Sequence, residues 1–132
     1  MLVSTKGRYA LRVMIDLAEH NDGSLIKLKD IAQRQDVSEK YLESIMVLLS
    51  KADLVYASRG KGGGYRLNKS PSEYSIGSIL KLTEGSLAPV ACMDEDKNCC
   101  DRETICKTRP MWHKLDSMID EFFESISLAQ LL

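Results

Sequence analysis

Between Leu28 and Leu67 the chain carries two short helical patterns joined by a tight turn, then a basic, glycine-rich hairpin, and few folds accommodate that order. Residues 28 to 35 (LKDIAQRQ) form the first pattern and Asp36 and Val37 the turn. Ser38 can cap a second helix by accepting from an orphan backbone N–H. This second helix is expected to run to Ser50. In it Leu42, Ile45, Met46 and Leu49 fall at i, i+3, i+4 and i+7, which buries one face and turns Glu39, Lys40, Glu43, Ser44 and Val47 outward. An outward face of this kind is where a recognition helix carries its base-reading side chains.

The stretch LVYASRGKGGGYRL follows, with strand-like Leu54 to Ala57 and Tyr65 to Leu67 flanking a turn that holds four glycines between Gly60 and Gly64. Glycine is needed where φ is positive or where backbone approaches a surface closely, so the hairpin reads as a wing that can press on a phosphate backbone or minor groove. Arg59, Lys61, Arg66 and Lys69 put four positive charges across residues 59 to 69 with no acid among them. Two alternatives stand beside this reading. A helix pair with a turn occurs in many helical proteins, and a basic glycine-rich turn can cradle a nucleotide phosphate. The run lacks the GxxxxGK[ST] spacing, however, and does not link a strand to a helix in a parallel unit. Helix-turn-helix and basic wing in succession are more specific than either alone.

Charge is unevenly spread. Residues 1 to 69 hold 12 Lys and Arg against 8 Asp and Glu, and residues 70 to 132 hold 6 against 11, so a +4 half precedes a −5 half although the net charge is only −1. That asymmetry fits a DNA-reading module joined to a regulatory or oligomerising one, with chance clustering of solvated charge as the plainer explanation. At 132 residues, with 44% hydrophobic and 28% charged residues, the chain fits one domain or a small domain with an appendage. No apolar run is long enough to span a bilayer and MLVSTKGRYALRVM lacks the apolar core of a signal peptide, so a cytoplasmic protein without a membrane partner is expected.

The first helix is predicted over Thr5 to Glu19, with Tyr9, Leu11, Met14, Ile15 and Ala18 as its apolar stripe and Asn21, Asp22 and Gly23 as its stop. Arg8 and Arg12, one turn apart, read as a solvated face or a phosphate clamp. His20 reads as a surface residue suited to the helix C-terminus. After the wing, SPSE is a turn, and Ser75 caps a helix from Ile76 to Thr83 that Gly85 ends, with Ile76, Ile79, Leu80 and Leu82 as core. Pro110 suits the first turn of a final helix in which Trp112, Leu115, Ile119, Phe122 and Ile126 follow at spacings of 3, 4, 3 and 4. This seam is assigned to a second copy of the chain, with packing on its own first helix as the alternative. Ser127 can cap the closing turn, SLAQLL.

All four cysteines lie in CMDEDKNCCDRETIC. In a cytoplasmic chain such a cluster reads as a metal or redox site rather than a disulfide framework. Six residues separate Cys92 from Cys99, Cys100 is adjacent, and five separate Cys100 from Cys106, wider than the usual pairing of zinc ligands. Spacing ranks an iron–sulfur cluster first, with zinc and thiol redox chemistry behind it.

The stretches STKGRYALRVMIDLA, DIAQRQDVSEKYLESI and LVYASRGKGGGYRL, the cysteine loop, and Trp112 through SISLAQLL together resemble the IscR-like branch of the Rrf2 family of winged-helix transcription regulators. The resemblance covers nearly the whole chain. It implies a homodimer with long helices crossing between subunits and control of iron–sulfur assembly or related genes, as repressor or activator. It implies cluster ligands at Cys92, Cys100 and Cys106, with Cys99 an adjacent thiol that could exchange roles with Cys100, and DNA contacts from Ser38, Lys40, Glu43, Ser44 and Arg59. Lys61, Gly62, Gly63 and Tyr65 complete the expected wing contacts. Where the pattern has a histidine ligand three residues after the third cysteine this chain has Arg109, and a guanidinium cannot ligate iron. Cys99, His113 or a group from elsewhere, including a second subunit, are the candidates for the fourth position, although His113 reads first as an exposed helix residue. A 2Fe–2S cluster is the first expectation and 4Fe–4S the alternative.

The expected fold is mainly α: a winged helix-turn-helix DNA-binding domain over residues 1–85, a cysteine-rich loop over 86–109, and a dimerisation helix with tail over 110–132. The expected function is a dimeric, sequence-specific regulator that binds duplex DNA and senses cluster status. A regulator of the same fold answering to nitric oxide, thiol oxidation or a metabolite is the alternative. A small iron–sulfur redox carrier is more distant, because it leaves the wing unexplained and the sequence offers no nucleophile–base pair or nucleotide motif of an enzyme.

Overall fold

The computed structural model describes residues 3–97 and 100–132. Among these residues are five α-helices and one antiparallel hairpin: α1 (Thr5–Glu19), α2 (Leu28–Gln35), α3 (Glu39–Lys51), β1 (Val55–Ser58), β2 (Gly64–Leu67), α4 (Ile76–Glu84) and α5 (Arg109–Ser125). Short 3-10 turns lie at Pro71–Glu73, Ala91–Met93 and Leu128–Leu131. The sequence expectation of a winged helix-turn-helix is met, with α1 and α2 on their predicted bounds and the ends of α3 and α4 and the start of α5 displaced by one residue.

Helices α1, α3 and α4 start where a serine hydroxyl satisfies an orphan donor. The Ser4, Ser38 and Ser75 side chains accept from the N–H groups of Gly7, Tyr41 and Ser78 at 3.2, 3.2 and 3.0 Å. Gly85, with φ of +77°, ends α4 in a conformation that a side chain would resist.

Helix α1 is the pillar, packed against α2, α3, α4 and β2. Its buried line is Gly7, Ala10, Val13, Met14 and Leu17, which corrects the predicted stripe. Of the residues predicted there, Met14 is fully buried while Tyr9, Leu11, Ile15 and Ala18 are only partly covered. The reason is size: small residues at 7 and 10 let a neighbour approach, and a β-carbon at Gly7 would displace the Glu84 carboxylate and press on Thr83 of α4. The core is completed by Ile31, Leu42, Ile45, Met46, Leu49, Val55, Tyr74, Ile76, Ile79, Leu80 and Leu128. Leu82, also expected in the core, packs against its edge.

Helix α5 is different, because none of its residues is buried. It is fastened to α4 by Lys81, whose ammonium lies 2.5 Å from Asp120 and 2.9 Å from Glu124, and by the Ser75 hydroxyl donating to Glu124 at 2.8 Å. The chain then turns back, and the Leu128 side chain is driven into the core. No helix among the described residues is long and apolar enough to cross a membrane.

Candidate nucleic-acid interface and cysteine segment

The helix-turn-helix is held by a polar network that the sequence patterns do not reveal. Asp36 turns the chain with φ of +53° and ψ of +51°, a left-handed conformation that Asp tolerates better than most residues. Val37 N–H donates to the Ala32 carbonyl at 3.1 Å. From α1, the Asp16 carboxylate, only 1% exposed, accepts from the Arg34 guanidinium at 3.0 and 2.7 Å and from the Gln35 amide at 2.9 Å. Burial alone would raise the Asp16 pKa, but the hydrogen bonds from Arg34 and Gln35 and the nearby positive charge prevail and hold it below the usual carboxylate range.

Arg12 is engaged within the fold rather than free in solvent. Its Nε donates to Gln35 Oε1 at 3.1 Å, its Nη2 donates to the Gln35 carbonyl, and its guanidinium stacks over Tyr9 at 4.9 Å. Arg12 therefore covers the C-terminal end of α2. Arg8, one turn earlier in α1, is exposed, with Nη2 donating to Thr5 Oγ1 at 3.3 Å. The His20 ring, by contrast, sits where expected, with Nδ1 2.9 Å from the Asp16 carbonyl.

Leu42, Ile45, Met46 and Leu49 anchor α3 in the core. Ser38, Lys40, Glu43 and Ser44 are exposed on the opposite face, and Ser44 Oγ donates back to the Tyr41 carbonyl at 2.7 Å. Val47, 45% exposed, extends the same face by one turn. It is an apolar surface of the kind that meets a thymine methyl. A helix that buries one face this completely presents the other in a fixed orientation.

The hairpin pairs Val55 with Leu67 and Ser58 with Gly64, and the strands lie one residue from the predicted bounds. Gly60 and Gly62 have φ of +87° and +78°, which accounts for the glycine-rich tip. Gly64 answers a different need. A β-carbon there would lie 2.5 Å from the Ile26 carbonyl oxygen, because Tyr65 exchanges backbone hydrogen bonds with Ile26 at 2.8 Å in both directions. Tyr65, expected at the DNA surface, is half-buried with its backbone in this ladder. Arg59, Lys61 and Gly62 are exposed at the tip and Gly63 is half-exposed behind them. Arg66 stacks over Tyr56 at 4.6 Å across the outer face of the hairpin.

The cysteine segment follows α4, within the acidic half of the chain. Cys92 lies half-buried in the Ala91–Met93 turn, Cys100 is exposed and Cys106 is half-buried, all three as free thiols, while Cys99 falls outside the described residues. A hydrogen bond with the Thr108 side chain, at 3.3 Å from Cys106 Sγ, lowers the Cys106 pKa, aided by the Thr108 and Arg109 backbone and the Arg102 charge. Arg109, at the position of the missing histidine, pairs with Glu103 at 2.9 Å and so braces the loop at the start of α5. His113 is exposed one turn further along. As donors, three unpaired thiols suit thiophilic iron. Among the described residues, however, no three His, Cys, Asp or Glu side chains are gathered to hold a metal ion, so the segment would have to fold around one.

Of the predicted seam on α5, Leu115 and Phe122 are exposed, Trp112 is half-buried, and Ile119 and Ile126 pack on the chain's own core. The solvent-facing line is instead Met111, Leu115, Met118 and Phe122, at spacings of 4, 3 and 4.

Comparison with known proteins agrees with this geometry. The chain is 39% identical over 132 residues to the HTH-type transcriptional regulator IscR of Aliivibrio salmonicida, covering all of this chain and 77% of that protein. Among solved structures it is similar to CymR, the global cysteine regulator of B. subtilis, with a TM-score of 0.81 and 34% identity over 99% of this chain and 95% of that one. It is also similar to T. potens IscR, with a TM-score of 0.77 and 37% identity over 99% and 85% of the two chains. Residues 3–132 match the family described as iron-dependent transcriptional regulators. A recognition helix, a basic wing and these relatives together make the chain a non-enzymatic, DNA-binding transcriptional regulator, and it belongs to the Rrf2 family.

Proposed function

We propose that this regulator works as a cytoplasmic homodimer whose choice of DNA site changes when Cys92, Cys100 and Cys106 gain or lose an iron–sulfur cluster. The observation that carries the reading is the position of the free thiols on an exposed segment that leads directly into α5. Ordering that segment would bear on the helix with the uncovered apolar face, and through it on the spacing of two recognition helices. Half-sites about one helical turn apart, roughly 34 Å, would then be matched or mismatched. Regulation requires that the cluster favour one arrangement over the other, since equal affinity for both would shift nothing.

Cys92, Cys100 and Cys106 would supply thiolate ligands, with Cys99 or His113 as the fourth. A bound cluster supplies a group that is reversibly lost or oxidised, 2Fe–2S being the first expectation. Arg109 pairs with Glu103 rather than offering a ligand. Lys40, Glu43, Ser44 and the Ser38 end of α3 read bases, while Arg59 and Lys61 hold the backbone from the wing. The line Met111, Leu115, Met118 and Phe122 is the part of α5 that a second copy would cover.

Anaerobic purification of wild type and Cys100→Ala, with iron and acid-labile sulfide analysis, visible absorption and DNA binding in each state, tests the reading. Iron and sulfide that depend on Cys100, with a change in DNA preference on their removal, support it. Zinc, or a metal-free protein never exposed to air, overturns it. One observation favours a second reading, thiol oxidation without a cluster. Cys106 has a lowered pKa, and a similar solved structure, 30% identical with a TM-score of 0.78, is an oxidised form of Staphylococcus aureus CymR.

A further inference from the structure

The buried phenol of Tyr74 lies outside both the recognition helix and the cysteine segment, yet it touches both legs of the wing. It is 2% exposed. Its hydroxyl donates to the Leu54 carbonyl at 2.7 Å, on the leg that leaves α3, and accepts from the Asn68 and Lys69 N–H groups, both at 3.0 Å, on the leg that returns from β2. The Asn68 amide completes the clasp, donating at 3.0 Å to both the carbonyl and the carboxylate of Asp53. Asp53 itself has φ of +59°, a left-handed turn that needs such support at the end of α3.

The same residue is held from behind. The Tyr74 carbonyl accepts from Leu128 N–H at 2.9 Å and the Ile76 N–H donates to the Ile126 carbonyl at 2.8 Å, so the segment after α5 forms a short antiparallel bridge with residues 74–76. Leu128 is fully buried beneath it. The Gln130 side chain fixes this tail by accepting from Ser127 N–H at 2.7 Å.

We infer that Tyr74 is the positioning residue of the wing: its hydroxyl sets the hairpin's angle to α3, and the tail after α5 sets Tyr74. This rests on the proposed role of the wing in DNA binding. A phenol serves where phenylalanine would not, because only the hydroxyl can donate to one leg and accept from the other. The C-terminal tail thereby bears on the wing without touching DNA.

The test is the variant Tyr74→Phe, alone and combined with Arg59→Ala. Each is assayed well below its melting temperature on a duplex that wild type enriches from a randomised pool. Tyr74→Phe is expected to weaken binding about tenfold and to reduce the salt slope by about 1, with no further loss in the Arg59→Ala background. A merely structural tyrosine would lower the melting temperature and leave the slope unchanged, which overturns the inference. Amide hydrogen exchange on the free protein separates this failure from that of the wing reading. Faster exchange at Asn68 and Lys69 in Tyr74→Phe supports the clasp even if Arg59→Ala binds normally, and wild-type exchange refutes it. For the tail, Leu128→Ala is expected to speed the same two amides. Gln130→Ala serves where Leu128→Ala does not fold, and unchanged exchange in the folded variant removes the tail from the assembly.

Discussion

The helix-turn-helix and wing stand in contrast to the cysteine segment and α5. In the first region the polar groups near the core have partners: Asp16 is shared by Arg34 and Gln35, Arg12 covers the end of α2, and Tyr74 clasps the wing. In the second, α5 buries no residue, its line of apolar side chains faces solvent, and the three described thiols form no disulfide. A DNA-reading surface gains affinity by being rigid before it binds, since no ordering entropy is then lost on binding. A segment that must report a ligand needs unused capacity instead.

The contrast is broken most severely at α5. Phe122 is 58% exposed, and Phe122→Glu places a charge in the face assigned to a second copy. Dimer affinity is expected to fall by about 3 kcal/mol or more, roughly a hundredfold or beyond, while the melting transition of the monomer stays close to wild type. Sedimentation over a concentration series measures it. A monomer at every concentration in wild type would remove the dimer from the proposal.

A similar loss, of stability rather than assembly, is expected from the rigid side. Asp16→Asn should destabilise the fold by about 3 kcal/mol, at the low end for a broken buried pair because Arg34 keeps water access. The wild-type pH dependence gives the sign. The Asp16 pKa is lower in the folded state than in the unfolded one. Its stabilisation is therefore complete above the unfolded value, near 4, and is lost as pH falls through the folded one. Denaturant melts between pH 6 and pH 2 should show this acid loss in wild type and less of it in Asp16→Asn.

Smaller effects sharpen the reading of the DNA surface. Glu43→Ala is expected to relax discrimination at one base pair by about 1–2 kcal/mol while retaining binding, because a carboxylate accepts from cytosine and repels phosphate. Unchanged preference across a site library would exclude Glu43 from base reading. Lys61→Ala, at the exposed wing tip, should weaken binding evenly over all sequences and reduce the salt slope by about 1. An unaltered slope in a salt titration would place Lys61 away from the phosphates.

Local chemistry was legible in the chain. Ser38 and Ser75 cap the helices predicted for them, the spacing of Leu42, Ile45, Met46 and Leu49 gives the buried face of α3, and the glycines at 60 and 62 take the positive φ that a wing tip requires. Each follows from neighbours within a turn or two. The stripe on α1 was misread because Gly7 and Ala10 contribute by being small, and smallness becomes a packing signal only once α4 is beside them. The backbone ladder between Tyr65 and Ile26 was not legible, because nothing near Tyr65 in sequence points to a partner 39 positions earlier.

The sequence by itself determined a winged helix-turn-helix, the outward face of α3 and a thiol-bearing segment before a long amphipathic helix, since caps, turns and periodicity act over a few residues. Only the tertiary structure decided that Arg12 bonds Gln35 at the end of α2, that Arg109 braces Glu103, which side of α5 faces solvent, and that Tyr74 joins the tail to the wing. Those choices depend on partners as many as 54 residues apart, such as Leu128 and Tyr74, and a polar side chain's role is set by whichever group the fold brings within 3 Å of it.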